Sequence, residues 1–351
     1  VTPDLPSSTS IAARRTLVGE SFRPATVRIT DGRISGIGRF DAQADTVVDE
    51  AHVLIPGLVD LAGAGTAEGT ARAAAGGVTT IATTSESPAA QREAASGETS
   101  VDVARRVAVS PATLGDIAAL LDAGAIGLSC ELAVDGGDAD ALDAAGLERA
   151  LTEVAAHDSA LAVTLRGQDE AAGVSLVAEA ARRAGARAHV VAVATPEGID
   201  AVRRAKLGGA PVTADVAAGD QLSDPAWDGL LDGAIDAIAG GLDASILATT
   251  WAAAQSRGLE LEQFLPLVAA RPAVALRLAR GEIERGAPAH LAVFAPDEGS
   301  VVASYLRGAR VFSLAEGVTA HAGREILAGD DEGELDGVVA LGTGTLPAPG
   351  A

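Results

Sequence analysis

The sequence has almost no lysine, cysteine or aromatic residues, and no methionine. Lys206 is the only lysine among 26 basic residues, Cys130 is the only cysteine, and Phe, Trp and Tyr together make up 2% of the 351 residues. A lone cysteine excludes an intrachain disulfide and fits a reducing compartment. The scarcity of aromatics leaves Ala, Val, Leu and Ile to fill the core, which suits close helix-on-strand packing but gains less free energy per side chain. No run of about 18 apolar residues is present to span a membrane, and the first 19 residues lack the apolar stretch of a secretory signal. A formal charge of -22 argues against nucleic acid and anionic membrane, since both bind through clustered Lys and Arg. These absences lead to the expectation of a cytoplasmic chain with neither partner.

What is present is an alternation of apolar β-type runs with Ala-rich stretches of helical spacing. The strands expected are Val53 to Val59, Val78 to Thr84, Arg106 to Ser110, Ala125 to Leu132, Ala160 to Arg166, His189 to Ala194, Pro211 to Asp215 and Ile235 to Gly240. Eight strand-helix units imply an α/β fold, a parallel (β/α)8 TIM barrel with its functional groups at the C-terminal strand ends. The segments TWAAAQSRG, LEQFLPLVAA and PAVALRLARG would then close it. Near the N-terminus, Ala25 to Ile29 and Arg33 to Ile37 flank an Asp-Gly hairpin signal, and His290 to Pro296 and Tyr305 to Phe312 have the same short-strand character. Residues 1–54 and 281–320 are therefore expected to build one small β-sandwich-like domain, residues 55–280 the barrel, and residues 321–351 an acidic, Gly/Pro-rich tail.

The stretch VLIPGLVDLAGAG, Val53 to Gly65, sets an aspartate at the end of an apolar strand after a Pro-Gly. With ARAAAGGVTTI, LLDAGAIGLSC, ARRAGARAHVV, VTADV, DGAIDAI, RPAVALRLARGEIERGAPAHLAVFAPD and YLRGARVF, in that order and spacing, it resembles the allantoinase, dihydroorotase and hydantoinase branch of the amidohydrolase superfamily, from about Ala12 to Phe312. That branch binds two divalent ions through four histidines, a carboxylated lysine and an aspartate. Carried over by motif, the resemblance puts those ligands on Ala62, Ala64, near Ser129, on Thr164, on Ala192 and on Gly241. None of these side chains is a ligand of the required type. Lys206 lies in a helical stretch, and the five histidines fall at strand starts, helix ends, the small sheet or the tail. The expectation is no bound metal and no cofactor.

By strand alternation, Asp60 shares the inward face of Ala62, Glu131 that of Ser129 and Arg166 that of Thr164. Asp215 takes the place of a carboxylate on strand seven, and Asp243 lies two positions past Gly241. These five form the candidate pocket. Two readings of it follow: an ion network in which the Arg166 guanidinium, paired with Glu131 or Asp60, neutralises a former metal pocket, or a site for a small polar ligand. Cys130 stands one residue off the inward face with no histidine to activate it. The functional expectation is a catalytically degenerate protein, a homo-oligomer or a hetero-complex with an active enzyme, serving as its structural or regulatory subunit. The alternative is a hydrolase of cyclic amide bonds in a hydantoin, dihydroorotate or allantoin-like substrate.

Overall fold

The computed structural model describes residues 7–85, 98–136, 138–218, 222–240 and 246–328. Eight parallel strands follow one another in chain order: Leu58–Asp60, Val78–Ser85, Asp102–Val109, Gly127–Ala133, Ala160–Arg166, Arg187–Val191, Val212–Ala217 and Ala237–Ala239. Each is hydrogen-bonded to the next. Five of the described helices between them begin where the chain offers a capping oxygen. Thr66, Asp143, Asp169, Thr195 and Ser223 each accept an N–H of the first helical turn, satisfying donors that the helix itself cannot. The outward strand residues pack with these helices in one core that includes Ile81, Leu128, Leu161, Leu147, Val177 and Trp227.

The run Val53 to Val59, expected as one strand, is divided at Gly57. Val53–Pro56 pairs with Leu291–Ala295 in a second sheet, and only Leu58–Asp60 enters the barrel. A Cβ at Gly57 would lie 2.2 Å from Thr79 Oγ1, so the chain crosses between sheets where only glycine fits.

The second sheet joins both ends of the sequence. Its strands run in the order Gly317–Val318, Ala309–Ser313, Ser300–Leu306, Leu291–Ala295, Val53–Pro56, Ser8–Val18, Ser21–Thr30 and Arg33–Gly38. Ser8–Val18, which the sequence reading did not assign as a strand, is its longest member, and Ile11, Val27, Ile29, Leu54, Leu291 and Tyr305 fill its core.

The barrel is nearly closed. Along its seam the Val59 N–H donates to Val268 O at 3.0 Å, and helix Ala270–Ala275 packs against the first and eighth strands. Ala273, Leu276 and Leu278 thereby join Val59, Leu61, Ala82, Ala104, Ala237 and Ala239 in the inner core. The segment after His321 returns to the barrel: Glu325–Ile326 lies parallel to the third strand, opposite Val103 and Ala104.

Candidate functional site

Asp60 ends the first strand and is 6% exposed. Its Oδ1 accepts the N–H of Ala62 at 2.9 Å and that of Gly240 at 2.8 Å, so the carboxylate ties the first strand to the end of the eighth. A Cβ on Gly240 would stand 2.5 Å from Asp60 Oδ2, which makes glycine a requirement of this closure.

Asp215, on the seventh strand, is 1% exposed. Its Oδ1 accepts from the Ala192 N–H at 2.7 Å, and its Oδ2 lies 2.8 Å from His189 Nε2. The other ring nitrogen of His189 lies 2.8 Å from Thr213 Oγ1. Ala192 takes a left-handed backbone, φ 54°, a strained state for a residue with a Cβ that the bond to Asp215 helps hold.

The cation facing these acids is Arg106, on the third strand. It is buried, its Nη2 donates to Leu61 O at 2.6 Å, and its Nε has no partner. Burial lowers its pKa, and the charges of Asp215 and Asp60 oppose that shift. Burial raises the pKa of Asp60. The N–H groups of Ala62 and Gly240 pull it down, the Asp215 charge pushes it up, and the Arg106 charge pulls it down again. The deep layer is thus two carboxylates, one guanidinium and one imidazole, linked through backbone.

Glu131 and Arg166 meet at 2.5 Å, with 40% and 55% of their side chains exposed. The pair forms at the rim of the mouth, so Arg166 does not neutralise a buried pocket; Arg106 has that place. Asp243 and Gly241 lie outside the described residues. Cys130 is buried in the helix-facing core, where burial and then the Glu131 charge push its thiol up to about 12.

The residues present do not fit a binuclear metal centre. Ala62, Ala64, Ser129, Thr164 and Ala192 offer no carboxylate, imidazole or amine. Both oxygens of Asp215 are already bonded, and a guanidinium stands among the carboxylates that a dication would neutralise. Among the described residues no group of three or more His, Cys, Asp or Glu is placed to hold a metal ion. Lys206 sits in the outer helix layer, paired with Asp236 at 2.6 Å.

Sequence reasoning missed Arg106 and His189 because it began their strands too late. The third strand starts at Asp102, not Arg106, and the sixth at Arg187, not His189. Both residues are therefore inside their strands rather than at the open ends. The alternation Asp102, Ala104, Arg106 was a usable signal, since it repeats every second residue.

No protein-family model matches the sequence, and comparison with curated proteins finds no match. Solved structures do match. L-hydantoinase (dihydropyrimidinase) from Arthrobacter aurescens is similar with a TM-score of 0.76 at 18% identity, over 91% of this chain and 100% of that one. Dihydropyrimidinase from Brevibacillus agri gives 0.73 at 17% over 91% and 98%, and D-hydantoinase (dihydropyrimidinase) from Thermus sp. gives 0.76 at 16% over 90% and 98%. The chain has the fold of the hydantoinases and dihydropyrimidinases.

Proposed function

We propose that this chain is a catalytically degenerate amidohydrolase-fold protein that serves as a structural or regulatory subunit of another enzyme in the cytoplasm, as a homo-oligomer or in a hetero-complex. The observation that supports this reading is Arg106. A guanidinium among Asp60 and Asp215 supplies internally the positive charge that bound metals would supply in a working member of such a fold. Its hydrogen bonds, between Asp60 and the Gly240 N–H and between Asp215 and both the Ala192 N–H and His189, tie neighbouring strands together, as a structural layer would.

Co-purification from the native cell, followed by mass spectrometry, tests the partner. A stoichiometric second enzyme or a defined oligomer is the expected result, and recovery as a lone monomer overturns it. Elemental analysis of the purified chain tests the degeneracy, since tightly held zinc, iron or manganese at one ion per chain would contradict the ligand reading.

One observation favours the second reading, hydrolysis or binding of a cyclic amide at a non-standard site. The Glu131–Arg166 pair is exposed, and Thr164 beside it is exposed as well, so a polar ligand can reach them without breaking the buried layer. Turnover of hydantoin, dihydroorotate or allantoin that disappears in Glu131→Gln would establish it, and turnover unaffected by that change would discard it.

A further inference from the structure

The N-terminal face of the barrel, opposite the mouth, has a cavity of about 230 Å³. It opens where the fourth and fifth strands begin, next to Ala125 and Ile126 on one side and Asp158 and Ser159 on the other. Leu121, Ile126, Leu276, Ile326 and Leu327 give it an apolar wall.

Its polar lining holds Asp122, His157, Asp158, Ser159 and Arg277, and the acceptors face one another at Asp122 and His157. His157 Nδ1 lies 3.0 Å from Glu153 O. A carbonyl only accepts, so Nδ1 carries the hydrogen, and Nε2 of the neutral ring is left with a lone pair. That nitrogen is 3.8 Å from Asp122 Oδ1, too far for a hydrogen bond between them and close enough for one donor nitrogen to reach both. The nearby cations are committed elsewhere: Arg187 and Arg277 both bind Asp158, at 2.6 and 2.9 Å. Asp122 has no guanidinium or ammonium within ion-pair distance among the described residues. The chain as a whole carries -22, which raises the local concentration of cations.

We propose that this cavity binds a small primary amine with an apolar body. The ammonium, which has three donors and no acceptor, bridges Asp122 and His157 Nε2, and the body lies on the wall formed by Leu276 and Ile326. At that position a carboxylate would meet the Asp122 charge and the His157 lone pair, and a neutral alcohol lacks the charge. Asp122 is 77% exposed, so solvent screens the attraction and binding is weak, with a Kd of about a millimolar order.

The test is a methyl-resolved NMR titration of the full chain with phenethylamine, phenethyl alcohol of the same shape, and hydrocinnamate of opposite charge. Phenethylamine should give saturable shifts at Leu121, Leu276 and Leu327, the alcohol should bind about tenfold more weakly, and hydrocinnamate should not bind. Asp122→Asn should weaken the amine by about tenfold. Because Asp122 is exposed, that variant should melt with the parent, which separates loss of the site from loss of the fold. The proposal falls if the amine gives no saturable shift up to about 10 mM, if amine and alcohol bind equally, if Asp122→Asn binds like the parent, or if the shifts lie away from these leucines.

Discussion

At the C-terminal mouth, Arg166 and Glu131 meet with about half of each side chain in water. At the opposite end Asp102, the first residue of the third strand, is 0% exposed and has Arg280 at 2.7 Å and Arg307 at 2.8 Å, both also buried. Arg280 further contacts Thr80 Oγ1 and His290 Nε2, Arg307 donates to Ala322 O, and the Arg324 N–H donates to Asp102 Oδ1. Burial alone would raise the Asp102 carboxyl; the charges of Arg280 and Arg307 outweigh it and hold the group well below the usual carboxylate range. Burial and the Arg280 charge keep His290 neutral. The two ends contain the same kinds of groups, yet among the described residues only at the N-terminal end does an ion cluster join the barrel, the second sheet and the returning C-terminal segment. Ion pairs report on architecture where water is excluded and on little where it is not.

The largest expected effect follows from that contrast. Asp102→Ala strands two buried guanidinium groups, and removing one partner of a buried pair costs about 3–5 kcal/mol, which calorimetry should register as a large fall in Tm. The pH dependence has a definite sign. The folded carboxyl is depressed, so its contribution is complete above the ordinary Asp value of about 4 and is lost as pH falls through the folded one. Acid unfolding curves of Asp102→Asn should lack that component.

Arg106→Met comes next. It leaves Asp60 and Asp215 without their cation, but Asp60, whose pKa is already raised, can take up a proton. The loss should be smaller than for Asp102→Ala, and an equal or greater loss would place the principal ion cluster at the mouth end instead.

Asp60 itself separates charge from hydrogen bonding. Asp60→Ala orphans the N–H groups of Ala62 and Gly240 and should cost about 1–3 kcal/mol. Asp60→Asn keeps an acceptor and should melt close to the parent. A raised folded pKa means that the Asp60 carboxyl contributes stability below its ordinary value and loses it as pH rises through the folded one, so the Asn variant should flatten that part of the profile.

Cys130 offers a smaller test. With its thiol pushed up to about 12 and 5% exposed, it should resist iodoacetamide at neutral pH until the chain is denatured. Rapid labelling of the native chain would move it out of the helix-facing core.

Arg166→Ala should leave Tm unchanged. An ion network plugging a buried pocket would make the loss large, and the exposed position of the pair removes that premise. A marked fall would erase the contrast between the two ends.

Periodicity made the barrel legible. Eight apolar runs and their intervening helical faces each declare themselves over several residues, so a misplaced boundary does not hide the element. The site was less legible because a single residue of offset decides whether a side chain is inside a strand or at its end, as with His189 and Arg106. Glu131 and Arg166 were paired correctly by alternation, but alternation carries no information about water, which sets what the pair is worth. The Glu325–Ile326 strand is two residues long and is specified by its partners, so no local pattern could announce it.

That short strand has a consequence for synthesis. Residues 103 and 104 emerge from the ribosome more than two hundred residues before 325 and 326, yet these are their neighbours in the sheet. Throughout elongation the lower edge of the third strand has unpaired backbone groups, the kind of surface on which incomplete chains associate wrongly. A transcript ending at Phe312 would encode every strand of the barrel proper and leave that edge open, so the finished fold depends on a segment made after all eight barrel strands.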